Sequence, residues 1–256
     1  MKYDWKDAGE EWSERWGTSA AQWSGTIFPR IRPYLPAGTI LEIGPGYGRW
    51  THYLKDHCQH LIVVDRAPEC IEACRARFAD DPRVTAHVNE GGSLSMIPDR
   101  SVDFIFSFDV FVHIKREVVE TYLTEFARIL NVGGRGFIHH SNLAAFASSS
   151  RHKLPEILKK LFIKWHLLDD DHHRTATMSA ELFRQLCWKN GLQCVRQELV
   201  NWRGRRLIDC LSWIERSDNT RDMKTTEIIS NPNFMREAET IRKQAQQEKT
   251  ATDAHQ

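Results

Sequence analysis

Two groups of residues in this chain have the types and spacing to do chemistry. The first is Glu42-Ile43-Gly44-Pro45-Gly46-Tyr47-Gly48, followed at the end of the next apolar run by Asp65. Glycines in a loop between a buried strand and a helix let the backbone approach a ligand closely and aim the helix N-terminus at it. An acid ending the neighbouring strand can accept hydrogen bonds from both hydroxyls of a ribose. The second group is Asp109, His113, His139 and His140, with Ser141 and Asn142. Its imidazoles and carboxylate suit proton transfer near neutral pH.

These groups need elements to hold them. Thr39–Ile43, His60–Asp65, Val84–Val88, Val102–Ser107 and Arg135–His140 are short apolar runs, and each predicts a buried strand. Between them, Arg49–His57, Pro68–Phe78 and Arg116–Leu130 carry helical spacing, the last with Val119, Tyr122, Leu123, Phe126 and Ile129 on one face. Asn131-Val132-Gly133-Gly134 closes that helix. Strands that are apolar throughout and alternate with helices predict an α/β fold with a mostly parallel sheet covered on both faces. In such sheets ligands lie at the carboxyl ends of the strands, where both chemical groups fall.

Flanking segments complete the layout. Residues 1–36 predict a layer of short helices, and 143–177 an inserted cap rich in Ser, Lys and His. Ser179–Asn190 predicts a helix capped by Ser179, and Cys194–Val200 with Leu207–Ile214 a closing strand pair. The domain is thus expected over 1–214, with a polar tail at 215–256 in which helix and disorder compete.

Bulk properties narrow the partners. The formal charge of +1 gives no footprint for nucleic acid or an anionic membrane. Without a membrane-length apolar run or a leader-like N-terminus, the expected location is cytoplasmic. The six cysteines have no zinc spacing; Cys70 and Cys74, one helical turn apart, are read as packing residues. The composition sets no oligomeric state.

The stretch LEIGPGYGRW with VVD beyond it resembles the cofactor motif and ribose acid of the class I S-adenosylmethionine-dependent methyltransferases, which implies a Rossmann-like methyltransferase fold. By that resemblance Glu42 lies near the amino group of the methionine moiety. Gly44, Gly46 and Gly48 line it, and Asp65 grips the ribose. Ser93 and Leu94 fall in the adenine-contact loop, although many relatives carry Asp where Ser93 stands. Ser107 and Asp109 begin the loop beneath the cofactor, and Trp23 and Arg66 join the cofactor set. The match covers roughly residues 20–140.

Methyl transfer to a hydroxyl needs a base, or a metal that lowers the hydroxyl pKa. Neighbouring strand residues point to opposite faces, so one of His139 and His140 faces the site; His140 is favoured, with His113 as the alternative base and Asp109 beside them. Asp169-Asp170-Asp171-His172-His173-Arg174 could join Asp109 on Mg²⁺, but its spacing fits no metal motif and a solvated loop is the preferred reading. Arg174 could instead anchor the cap. SFDVFVHI and GGRGFIHHSN resemble bacterial sugar O-methyltransferases, which implies a small-molecule or carbohydrate acceptor. Trp16, Trp23, Trp165 and Trp202 could stack on a sugar, and Asn142 could bond to it. The competing readings are O- or N-methylation of a non-sugar natural product, and a non-catalytic methyltransferase-like subunit.

Overall fold

The computed structural model describes residues 7–146, 173–202, 204–216 and 225–253. An eight-stranded sheet runs through it: β1 (Ala37–Ile43), β2 (Cys58–Asp65), β3 (Val84–Val88), β4 (Val102–Phe111), β5 (Leu130–Ser141), β6 (Leu192–Val200), β7 (Asp209–Arg216) and β8 (Glu227–Asn231). The spatial order is β3-β2-β1-β4-β5-β7-β6-β8. Only β7 runs against its neighbours; the other pairings are parallel. The order reverses at β1 and β4, so a crevice opens beyond their carboxyl ends.

Helices cover both faces, as the apolar strands require. The helices α1 (Ser19–Gln22), α2 (Phe28–Ile31), α3 (Thr51–Leu54) and α4 (Pro68–Arg77) precede α5 (Arg116–Ile129), α6 (Ala180–Lys189) and α7 (Phe234–Asp253). On one face α5 and α6 bury Val119, Leu123, Phe126, Phe183 and Leu186 against Leu41, Ile105 and Ile138. On the other, Trp16, Trp23, Ile27, Ile71 and Phe234 pack on Ile40, Phe106, Phe137 and Trp213. The cap of α6 is as expected, with Ser179 Oγ accepting from Leu182 N at 3.1 Å.

Three segments differ from expectation. Residues 225–253 are not a loose polar tail. β8 extends the sheet beside β6, and α7 buries Phe234 and Ala238 on the N-terminal layer. Arg30 ties the same region to the sheet through a two-point pair with Glu198, at 2.9 and 2.7 Å. The glycine turn 131–134 lies within β5 as an irregularity, with Gly133 at φ +76°. β4 continues through Phe108-Asp109-Val110 to Phe111, although its pairing with β5 shifts between Ser107 and Phe111. Most of the expected cap, 147–172, lies outside the described residues. Among the described residues no helix is long and apolar enough to cross a membrane.

Candidate active site

The glycine loop leaves β1 at Gly44, whose N–H donates to Val64 O at 2.8 Å and so ties the turn to β2. Gly44 is left-handed at φ +74°, and a Cβ there would lie 2.3 Å from Val110 Cγ2. Glycine is therefore required at this position on two counts, and the loop presses on the carboxyl end of β4. Behind the loop Glu42 is buried, with Oε2 accepting from Thr51 Oγ1 at 2.6 Å and Oε1 without a partner. Burial pushes its pKa up to about 8, against the Thr51 bond and the charge of Arg49. Asp65 ends β2 half-buried, accepting from Ala67 N at 2.9 Å and from Gly46 N at 3.4 Å. Burial raises its pKa against those backbone bonds.

This set fits S-adenosylmethionine on the structure's own terms. The orphaned Glu42 oxygen lacks the donor and positive charge that an ammonium supplies, and a Cβ would fill the glycine cradle. Occupancy by an ammonium should draw Glu42 into its ionised form. Binding of S-adenosylhomocysteine below about pH 8 should therefore release a proton. Affinity should rise with pH toward that value, by at most about tenfold per unit. Calorimetry in buffers of different ionisation enthalpy reads both effects, and Glu42→Gln should abolish the slope. A flat profile with no proton release removes Glu42 from the role. Asp65→Ala should weaken the same ligand by roughly 1.5–3 kcal/mol, about 10- to 150-fold in Kd. Unchanged affinity there would exclude the ribose contact.

Other members of the expected cofactor set sit differently. Leu94 is fully buried in the core. Its N–H donates to Glu125 Oε2 at 2.9 Å and its carbonyl accepts from Arg128 at 2.9 Å, so its side chain packs rather than meeting a ligand. Trp23 is buried in a stack with Tyr53, Trp50, His57 and Phe28. Ser107 Oγ donates to Ile43 O at 3.0 Å and joins β4 to β1. Ser93 is half-buried and Arg66 exposed. Cys70 and Cys74 are buried, and Cys74 Sγ donates to Gly46 O at 3.3 Å.

At the ends of β4 and β5 the chain gathers five charged groups into a line. Arg49 Nη2 lies 3.2 Å from Asp109 Oδ2, and Asp109 Oδ1 lies 3.3 Å from His139 Nδ1. His139 Nε2 lies 3.3 Å from Asp209 Oδ2, off the alignment of a good hydrogen bond. Arg174 closes the line with Nη2 at 2.8 Å and Nε at 3.0 Å from the Asp209 carboxylate. Aromatic rings wall it in. Phe108 and Trp202 lie 4.6 and 5.9 Å from the His139 ring, Arg174 lies over Trp202 at 4.7 Å, and Arg49 over Trp50 at 4.3 Å. Burial opposes a charge on His139, but the bonds to Asp109 and Asp209 outweigh it and raise its pKa. Burial also opposes ionisation of both carboxylates. For Asp109 the histidine and for Asp209 foremost Arg174 outweigh it, so both pKa values fall below the ordinary range. Asp109 holds φ +65°, a left-handed conformation costly outside glycine and common where a site over-determines the backbone.

The three histidines separate by environment. His139 is fully buried, with each ring nitrogen beside a carboxylate and Nδ1 also accepting from Asp109 N at 3.3 Å, so both nitrogens are engaged within the protein. His140, the residue favoured from the sequence, does not face this site. It stacks on Phe183 at 4.0 Å on the opposite face of the sheet. Its Nδ1 lies 2.9 Å from Ser141 O and its Nε2 2.8 Å from Ser212 Oγ; burial lowers its pKa to about 3. His113 is exposed, with Nδ1 2.9 Å from His173 O. A carbonyl only accepts, so the ring proton lies on Nδ1 and the Nε2 lone pair is left over. Burial of part of the ring lowers its pKa against that bond, so it is neutral at pH 7.

Asn142 and Ser141 are structural. Asn142 bridges Leu207 O and Ala180 N, both at 2.8 Å, and Ser141 Oγ donates to Thr175 O at 2.8 Å. Trp16 is fully buried, Trp202 is half-buried among Arg174, Trp16 and Phe234, and Trp165 lies outside the described residues. Asp169, Asp170, Asp171 and His172 also lie outside them. Among the described residues no group of three His, Cys, Asp or Glu side chains could hold a metal ion. Arg49 and Asp209 were not singled out from the sequence. Asp209 could have been, as a lone acid inside the apolar run Leu207–Ile214.

The comparisons with known proteins bear on the fold and the family. Residues 40–134 match the family model described as a methyltransferase domain, and they lie on a Rossmann-like methyltransferase fold. Among curated proteins it is 24% identical over 218 residues to phosphoethanolamine N-methyltransferase of Triticum aestivum, covering 80% of this chain and 40% of that one. It is 26% identical over 206 residues to phosphoethanolamine N-methyltransferase 3 of Arabidopsis thaliana, covering 75% and 39%. The chain thus spans about 40% of the length of these relatives. An S-adenosylmethionine dependent methyltransferase from Mesorhizobium loti superposes with a TM-score of 0.53 at 14% identity, over 77% of this chain and 98% of the other.

Proposed function

We propose that this domain methylates a hydroxyl group of a small-molecule acceptor, with His113 as the general base. The observation that carries the reading is the His113 Nδ1 contact with His173 O at 2.9 Å, which fixes the tautomer and leaves Nε2 basic. S-adenosylmethionine, when bound, supplies a methyl group on a positively charged sulfur that leaves as a neutral thioether. Glu42, the glycine loop and Asp65 hold it. His113 Nε2 takes the hydroxyl proton as the acceptor oxygen bonds to the methyl carbon. Asp109, ionised and half-buried at the inner end of the same segment, accepts a hydrogen bond that orients the acceptor.

A sugar or glycoside remains the hydroxyl acceptor to test first, held by hydrogen bonds rather than by stacking, because Trp16 and Trp23 are committed to the core. Methylation of a small amine is the second reading. It is favoured by the names of the curated relatives, and Asp109 would pair with a cationic amine. The test is S-adenosylhomocysteine release across glycosides, phenols and amines, phosphoethanolamine among them, each with Mg²⁺ and with chelator. Turnover on hydroxyl acceptors supports the proposal, and turnover confined to amines overturns it. Loss with chelator would bring the acids at 169–171 into the site.

A further inference from the structure

The segment 173–178 crosses the ends of β4 and β5 as a strap. Thr175 N–H donates to Val112 O at 2.8 Å, Ser141 Oγ donates to Thr175 O at 2.8 Å, and Ala144 N–H donates to Met178 O at 2.9 Å. Arg116 N–H donates to Thr177 Oγ1 at 3.1 Å. At its start His173 holds φ +59°, a left-handed conformation unfavourable for a residue with a Cβ. That twist presents the His173 carbonyl to His113. The next residue, Arg174, grips Asp209 with two nitrogens, and its side chain is 6% exposed. A strained backbone persists only where its surroundings over-determine it, and the Arg174–Asp209 fork is the strongest bond adjoining His173.

We propose that Arg174 is a positioning residue for His113: its paired bonds to Asp209 hold the strap so that the His173 carbonyl keeps the ring proton on Nδ1 and the lone pair on Nε2. The inference rests on the reading of His113 as the base. It gives Asp209 a purpose beyond neutralising His139, since the acid links the end of the cap to the residue that accepts the proton. The charged groups acting on His113 are Arg174 from the strap, Asp109 from β4 and His139 from β5.

In a folded Arg174→Gln variant kcat should fall by up to about 100-fold while S-adenosylhomocysteine affinity stays within about twofold. Removing the arginine charge raises the His113 pKa, whereas losing the His173 carbonyl bond lowers it, so the two effects oppose each other in Arg174→Gln. Arg174→Lys keeps the charge without the fork, so only the loss of the bond remains. There the limb of the kcat–pH profile that rises with His113 deprotonation should move to lower pH while kcat stays low. If Arg174→Gln does not fold, the paired variant Arg174→Gln with Asp209→Asn removes both charges and takes its place. Nitrogen NMR of the unmodified protein gives a reading independent of activity. A proton on His113 Nδ1 supports the inference and a proton on Nε2 overturns it. Unchanged kcat and limb in a folded variant also overturn it. A fully active His113→Ala protein would instead sink the base assignment on which it rests.

Discussion

His113→Ala should lower kcat by about 10²–10⁴-fold, the usual worth of a positioned general base. The Kd of S-adenosylhomocysteine should stay within about twofold, because His113 lies outside the glycine loop and the two acids proposed to hold the cofactor. The pH profile makes the test specific. His113 has a lowered pKa, so in the unmodified enzyme kcat should rise along a limb below the ordinary histidine value of about 6.5 and be level at neutral pH. The alanine variant should lose that limb. Steady-state rates from pH 5 to 9 measure both effects. A mild loss with the limb intact would mean that the acceptor arrives already deprotonated, as an amine does.

Asp209→Asn should cost about 3–5 kcal/mol of stability, the range for removing one partner of a buried ion pair. Asp209 has no exposed surface, and its neighbours Arg174 and His139 are almost as buried. The asparagine keeps the shape but leaves the two arginines and a histidine with Asp109 as the one remaining counter-charge in the line. In a domain of this size the loss corresponds to a drop in Tm of roughly 6–20 °C. The pH dependence carries its own sign. The carboxylates have folded pKa values below the ordinary one, so their contribution is present above about pH 4 and fades as pH falls through the lowered values. His139 has a raised value, so its contribution is full below about 6.5 and fades as pH rises through the raised value. The network should therefore stabilise most between those limits, and the variant should flatten both flanks. Urea unfolding at pH 3.5, 5.5 and 8.5 would show it. A loss under about 0.5 kcal/mol at pH 5.5 would mean that water screens these charges.

The cofactor half of the site was legible in the sequence because its determinants are local. A glycine loop, the apolar run before it and the acid ending the next run are each encoded by adjacent residues, and alternation of strand and helix then fixes a parallel sheet with its crevice. The acceptor half was legible only as a set of candidates. His139 and His140 follow Phe137 and Ile138 in a strand buried on both faces, so no polar side marks which histidine looks toward the ligand. The faces are chosen by what packs there: Phe183 of α6 takes His140, and Phe108 with Trp202 takes His139. The C-terminal segment looked like a tail because its composition is polar, yet the burial of Phe234 and Ala238 and one edge of strand pairing are enough to seat it. What the sequence determined by itself was the fold class and the glycine loop that we propose holds the cofactor. The tertiary structure alone decided the line from Arg49 through Asp109, His139 and Asp209 to Arg174, because charges so far apart in the chain meet only when both faces of the sheet are packed.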